Sequence, residues 1–171
     1  MDKSIYFLTG ASGAGKTTLL DHLAEKYADK PWAFLHFDSV GVPAVEEMTA
    51  RYGSPSGWQE AMTHYWIDRA VRHQPEEKVF IEGQVNLNFI RQGFQKHQFT
   101  NYRIALIDCE EDEMARRLTH NRNQSELLTP DMRNWLKYLR NQALEFNAPI
   151  INTTQLTLKE TALAFGNIFH L

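Results

Sequence analysis

Cysteine is almost missing from this chain: Cys109 stands alone among 171 residues, so no internal disulfide exists and a packed core must hold the fold. It closes an apolar run, where a small buried hydrophobe without chemistry is expected. A surplus of one charge is missing too. With 18 Lys and Arg against 21 Asp and Glu, and no long block of either sign, there is no basic stripe for nucleic acid and no polybasic segment for a membrane surface. No apolar run approaches the ~20 residues that cross a bilayer. Met1-Asp2-Lys3 passes straight into an apolar run without a signal-peptide core, so a cytoplasmic protein is expected. Internal repeats and low-complexity segments are absent. What remains as a partner is a small molecule, with a homodimer left open.

The chain does have enough apolar residues, 43 %, for one domain over residues 1–171 with a sizeable core. Short apolar runs alternate with helical patterns, which predicts an α/β fold of βα units around a mostly parallel sheet. Strands are expected at 4–9, 33–38, 78–82, 103–108 and 149–152, each apolar on nearly every residue, as strands covered on both faces are. Helices are expected at 16–28, 43–51, 57–73, 87–97, 111–121, 130–146 and 157–169. Their starts are marked by Pro43, a Ser56/Gln59 capping box, Thr129-Pro130 and a Thr157/Glu160 capping box.

Between the first strand and the first helix stands Gly10-Ala11-Ser12-Gly13-Ala14-Gly15-Lys16-Thr17, the pattern G-x-x-x-x-G-K-[ST]. In that context the pattern builds a polyphosphate cradle, with backbone N–H groups around the phosphates, Lys16 as a point charge and the helix dipole behind them. Thr17 places its hydroxyl on Mg²⁺, and Thr18 completes the loop. In an open parallel sheet, ligands sit beyond the carboxyl ends of the strands, so the residues there carry the functional reading.

The second strand delivers Asp38 to that edge, placed to orient an acceptor hydroxyl and take its proton. The third delivers Glu82-Gly83-Gln84: Glu82 for the Mg²⁺ shell or the acceptor, Gly83 for close approach of backbone to ligand, Gln84 for hydrogen bonds to the acceptor. His36 is read as a strand residue that faces a helix. After the fourth strand come Arg116-Arg117 and then Arg122 in a polar stretch, residues 121–130, which reads as a short lid; arginine suits the charge that develops on a transferring phosphoryl group. Asn152-Thr153-Thr154, at the end of the fifth strand, is placed beside a purine base.

In this order, phosphate loop, Asp38, the Glu82-Gly83 turn, Arg116-Arg117-Leu118 and Arg122, the chain resembles the P-loop nucleoside and nucleotide kinase-like superfamily along essentially its whole length. It is most similar to the small single-domain kinases of shikimate, gluconate and chloramphenicol phosphotransferase type. The resemblance implies a three-layer fold with strand order 2-3-1-4-5, ATP with Mg²⁺ as donor, an Asp38 that binds or deprotonates the acceptor, Arg117 against the adenine and Arg122 on the phosphates. Arg117 and Arg122 are five residues apart, where many members have four. Nucleoside monophosphate kinases carry Gly-x-Pro-Arg after the third strand; Gly83-Gln84-Val85-Asn86 stands here, leaving Arg51 and Arg91 to hold an acceptor phosphate.

The expectation is therefore an ATP-dependent small-molecule kinase with Lys16, Asp38 and Arg122 as catalytic groups and a hydroxyl acceptor of little charge contacted by Asp38, Glu82, Gln84 and Arg91. A nucleoside monophosphate kinase is the alternative within the class. A nucleotide-dependent regulatory binding protein with little catalysis is the alternative outside it.

Overall fold

The computed structural model describes residues 2–171. Five parallel strands, β1 (Ser4–Thr9), β2 (Trp32–His36), β3 (Lys78–Gly83), β4 (Tyr102–Asp108) and β5 (Ile150–Asn152), form one sheet in the order β2-β3-β1-β4-β5. Seven helices connect and cover them: α1 (Lys16–Lys26), α2 (Val45–Tyr52), α3 (Pro55–Asp68), α4 (Leu87–Lys96), α5 (Glu111–Arg116), α6 (Pro130–Glu145) and α7 (Leu158–Phe169). None is long and apolar enough to cross a membrane among the described residues.

Alternation along the strands divides the core in two. Ile5, Phe7, Val79, Ile81, Ile104 and Leu106 turn to one face, where Trp66 and Ile67 of α3, Ile90 and Phe94 of α4 and Leu139 of α6 cover them. Tyr6, Leu8, Phe80, Ala105 and Ile107 turn to the other, under Leu19, Leu20 and Leu23 of α1 and Phe165 of α7. On that second face the register lines up Phe34, Phe80 and Tyr6 across three strands, with ring centroids 5.0 and 4.7 Å apart. Continuous apolar strands thus mean helices on both sides, and a three-layer α/β architecture results.

Local departures from the sequence reading each have a cause. β2 ends at His36, and Phe37–Val40 form a 3₁₀ turn that carries Asp38 out of the sheet. α3 starts two residues early because Ser54, with Pro55 at the first helical position, caps it through Gly57 N–H at 2.9 Å. The Ser56/Gln59 box does not form; Gln59 reaches across to the turn after β3 instead. Thr129 caps α6, and the Thr157/Glu160 box opens α7. Wide π turns close the helices at Arg69–His73 and Arg117–Asn121.

Candidate functional site

The phosphate loop joins β1 to α1 at the carboxyl edge of the sheet. Gly13 (φ 81°) and Gly15 (φ 100°) both hold left-handed backbone, which other residues resist. Gly15 is also the N-cap of α1 and brings no side chain to its first-turn N–H groups, so the positive end of an eleven-residue helix is left open to an anion. Gly10 is required for a different reason: a Cβ there would lie 2.2 Å from the Ile107 carbonyl oxygen.

Lys16 is buried, and its ammonium donates to the Ala11 carbonyl across the loop at 3.1 Å. Burial lowers its pKa from the usual lysine value, the charge of Glu82 raises it, Arg122 lowers it and Asp38 raises it. Glu82, Arg122 and Asp38 thus lie near enough for their charges to act on the Lys16 ammonium. Cys109 lies behind them, buried, its thiol pushed up to about 11, chiefly by burial. It is the inert core residue the sequence suggested.

Glu82 is 5 % exposed at the end of β3. One of its oxygens meets His36 Nδ1 at 2.9 Å, and His36 Nε2 lies 3.1 Å from an Asp21 carboxylate oxygen on α1. Sequence reading missed this Asp21–His36–Glu82 chain. Asp38 stands exposed on its 3₁₀ turn, and the turn is pinned from behind by Trp66 Nε1, which donates to the Phe37 carbonyl at 3.0 Å. Gly83 makes room for that turn: a Cβ on it would come within 2.6 Å of Phe37 Cβ. Gln84 accepts from Ser12 Oγ at 2.9 Å, which ties the β3 turn to the phosphate loop. Thr9 Oγ1 donates to the Val85 carbonyl at 2.6 Å and so ties it to β1 as well.

Arg117 is a strut of the loop. Its guanidinium donates to the carbonyls of Gly13 (3.1 Å), Ala14 (3.3 Å) and Thr153 (2.9 Å), to Thr153 Oγ1 (2.9 Å) and to Glu113 (2.8 Å). Hydrogen bonds from Arg116, and then from Arg117, hold the Glu113 carboxyl down at about 2. The five-residue interval to Arg122 is explained by the π turn: Arg122 N–H donates to the Arg117 carbonyl five residues back, at 3.2 Å, closing one wide turn. Both arginines consequently line one cleft of about 330 Å³ with Gly13, Gly15, Thr18, Thr153 and Leu158. Arg122 is exposed and makes no ion pair among the described residues. Thr17 is exposed at the first turn of α1.

The site thus brings together the loop residues Gly10, Ala11, Ser12, Gly13, Ala14, Gly15, Lys16, Thr17 and Thr18 with Asp38, Glu82, Gln84, Arg117 and Arg122. Arg91 is not among them. Its guanidinium lies 4.5 Å over the Phe146 ring, in a cleft shared with Tyr102 and Arg103 at the start of β4, the opposite edge of the sheet. Arg51 is engaged by Glu47, one turn back on α2, at 2.9 Å. Asp108, which the sequence reading passed over, is buried at the end of β4 and accepts from Arg140 Nε at 2.7 Å, locking α6 to the sheet.

A family model described as an AAA domain matches residues 7–134. No curated protein sequence matches the chain. Among solved structures it is similar to the shikimate kinase of Acinetobacter baumannii in complex with shikimate, at 16 % identity over 98 % of this chain and 93 % of that one, TM-score 0.66. It is likewise similar to a gluconokinase of Sinorhizobium meliloti 1021, at 16 % identity, 98 % and 97 % coverage and TM-score 0.63. The tunicamycin resistance protein of Deinococcus radiodurans superposes at 15 % identity, 99 % and 96 % coverage and TM-score 0.67. Identities this low show a shared fold.

Proposed function

The chain belongs to the AAA domain family, and we propose that it is an ATP-dependent kinase that moves the γ-phosphoryl group to a hydroxyl of a small acceptor. The observation that carries the reading is the open amino end of α1, with Lys16 folded into the loop beneath it and an exposed carboxylate, Asp38, near enough for its charge to act on Lys16. A nucleoside monophosphate kinase needs a cation for the acceptor phosphate, and Arg91, one of the two arginines considered for it, lies over Phe146 at the opposite edge of the sheet.

In this reading the loop amides and Lys16 bind the β- and γ-phosphates, Arg122 neutralises charge on the transferring group, and Arg117 with Thr153 floors the cleft for the base. The acceptor oxygen forms its bond to the γ-phosphorus as the bond to the β,γ-bridging oxygen breaks. That electron pair leaves on ADP, and the hydroxyl proton passes to Asp38. The residues present suit Mg²⁺: Thr17 and Glu82 offer hard oxygen donors beside the loop. Bound there, Mg²⁺ would neutralise phosphate charge. Most of the catalysis is positioning.

Acceptor-dependent ADP release tests the reading. Asp38→Asn is expected to lower kcat by about 10²-fold or more with KM for ATP unchanged, the signature of a lost proton acceptor. An unaltered kcat would remove Asp38 from the mechanism.

A further inference from the structure

Phe37, next to Asp38, meets the Trp58 ring edge-on at 5.9 Å, and Trp58 borders a trough between α3 and α6. One lobe, about 270 Å³, is lined by Met48, Pro55, Trp58, Gln59, Asn86 and Trp135; the other, about 400 Å³, by Asn86, Asp131, Asn134, Trp135 and Tyr138. Asn86 and Trp135 border both lobes. Trp135 and Tyr138 stack with centroids 5.5 Å apart and planes 21° from parallel, and Tyr138 is 42 % exposed. The indole N–H of Trp135 is buried without a hydrogen-bond acceptor.

Neutral amides join this trough to the phosphate loop. Asn86 Nδ2 donates to Tyr138 Oη at 3.1 Å, and Asn86 N–H donates to Gln59 Oε1 at 3.0 Å. Gln59 Nε2 donates to the Gln84 carbonyl at 3.2 Å, and Gln84 accepts from Ser12. No Lys or Arg lines either lobe, and the single carboxylate there is Asp131. A phosphate or carboxylate would meet no counter-charge and one repulsive one. A ring, by contrast, meets a ready aromatic floor.

We propose that the acceptor is an alcohol built on a ring and without an anionic group, its face on Trp135 and Tyr138 and its reactive hydroxyl toward Asp38. The inference rests on the kinase reading and adds the substrate class. Its test is Mg·ATP-dependent ADP release with matched probes: myo-inositol, thymidine and phenyl β-glucoside as neutral rings; inositol 1-phosphate, thymidine 5′-monophosphate, phenyl β-glucuronide, shikimate and gluconate as anions; sorbitol as an open chain. Mg·ATP binding is measured alongside by calorimetry.

Turnover is expected only among the neutral rings. Its kcat/KM should fall about 10-fold in Trp135→Ala and Tyr138→Ala and recover in Trp135→Phe, with KM for ATP unchanged. Tyr138→Ala keeps the test decisive should Trp135→Ala unfold. Preference for an anionic or open-chain acceptor, ring turnover indifferent to both alanine variants, or no turnover by a protein that binds Mg·ATP overturns the inference. Loss of Mg·ATP binding itself overturns the kinase reading beneath it.

Discussion

His36 and Glu82 are exact neighbours in the parallel register of β2 and β3, and their side chains meet at 2.9 Å on the face that looks toward α1. Two residues earlier on each strand the same row holds Phe34 against Phe80. The aromatic row therefore ends in a polar pair at the edge where the phosphate loop sits, and Asp21 of α1 engages the far nitrogen of His36. A carboxylate held from behind in this way has one oriented oxygen left for the site. His36→Phe is expected to raise the Mg²⁺ concentration that supports half-maximal turnover about 10-fold, the scale of outer-shell losses at metal sites, while Asp21→Ala does less. A Mg²⁺ titration of both variants checks it.

Arg117 spans Gly13, Ala14, Thr153 and Glu113, so its removal loosens the phosphate loop as well as the floor of the cleft. Arg117→Ala should cost about 2 kcal/mol of stability in a denaturant titration and raise KM for ATP at least tenfold. Arg117→Lys keeps the charge but not the planar fork, and should recover little of either.

Cys109 supplies the pH prediction. Its thiol ionises at about 11 in the folded protein against an ordinary 9.0, chiefly through burial. The unfolded chain releases this proton first, so the contribution of Cys109 is complete below pH 9 and is lost as pH rises toward 11. Stability measured from pH 8 to 11 should fall more steeply in the native sequence than in Cys109→Ala. At pH 8 a disulfide reagent should label the native protein far more slowly than the urea-unfolded one.

Much of this architecture was legible in the residues. Continuous apolar strands, capping signals at Thr129 and Thr157, and the glycine-rich loop between a strand and a helix announce a parallel sheet with a phosphate cradle, and strand order followed from resemblance. What escaped depends on register and on competition between partners. His36 and Glu82 are far apart in sequence and look unrelated until β2 and β3 are paired, as the Phe34 and Phe80 alternation would show once their adjacency is known. Ser54 displaced Ser56 as a cap because Pro55 fits the first helical position and Gln59 was drawn to Gln84 and Asn86. Arg91 looked free because nothing local reveals Phe146 beneath it. The five-residue interval between Arg117 and Arg122 hid a π turn, which no apolar period signals.

Calorimetric titration of Mg·ATP into the native protein and into Lys16→Ala, with circular dichroism to verify both folds, tests the phosphate cradle most directly. The account predicts binding to the native protein and a loss of roughly 10- to 100-fold in affinity on removal of the ammonium, as expected for charge-assisted hydrogen bonds. Equal affinities in two intact folds would contradict it.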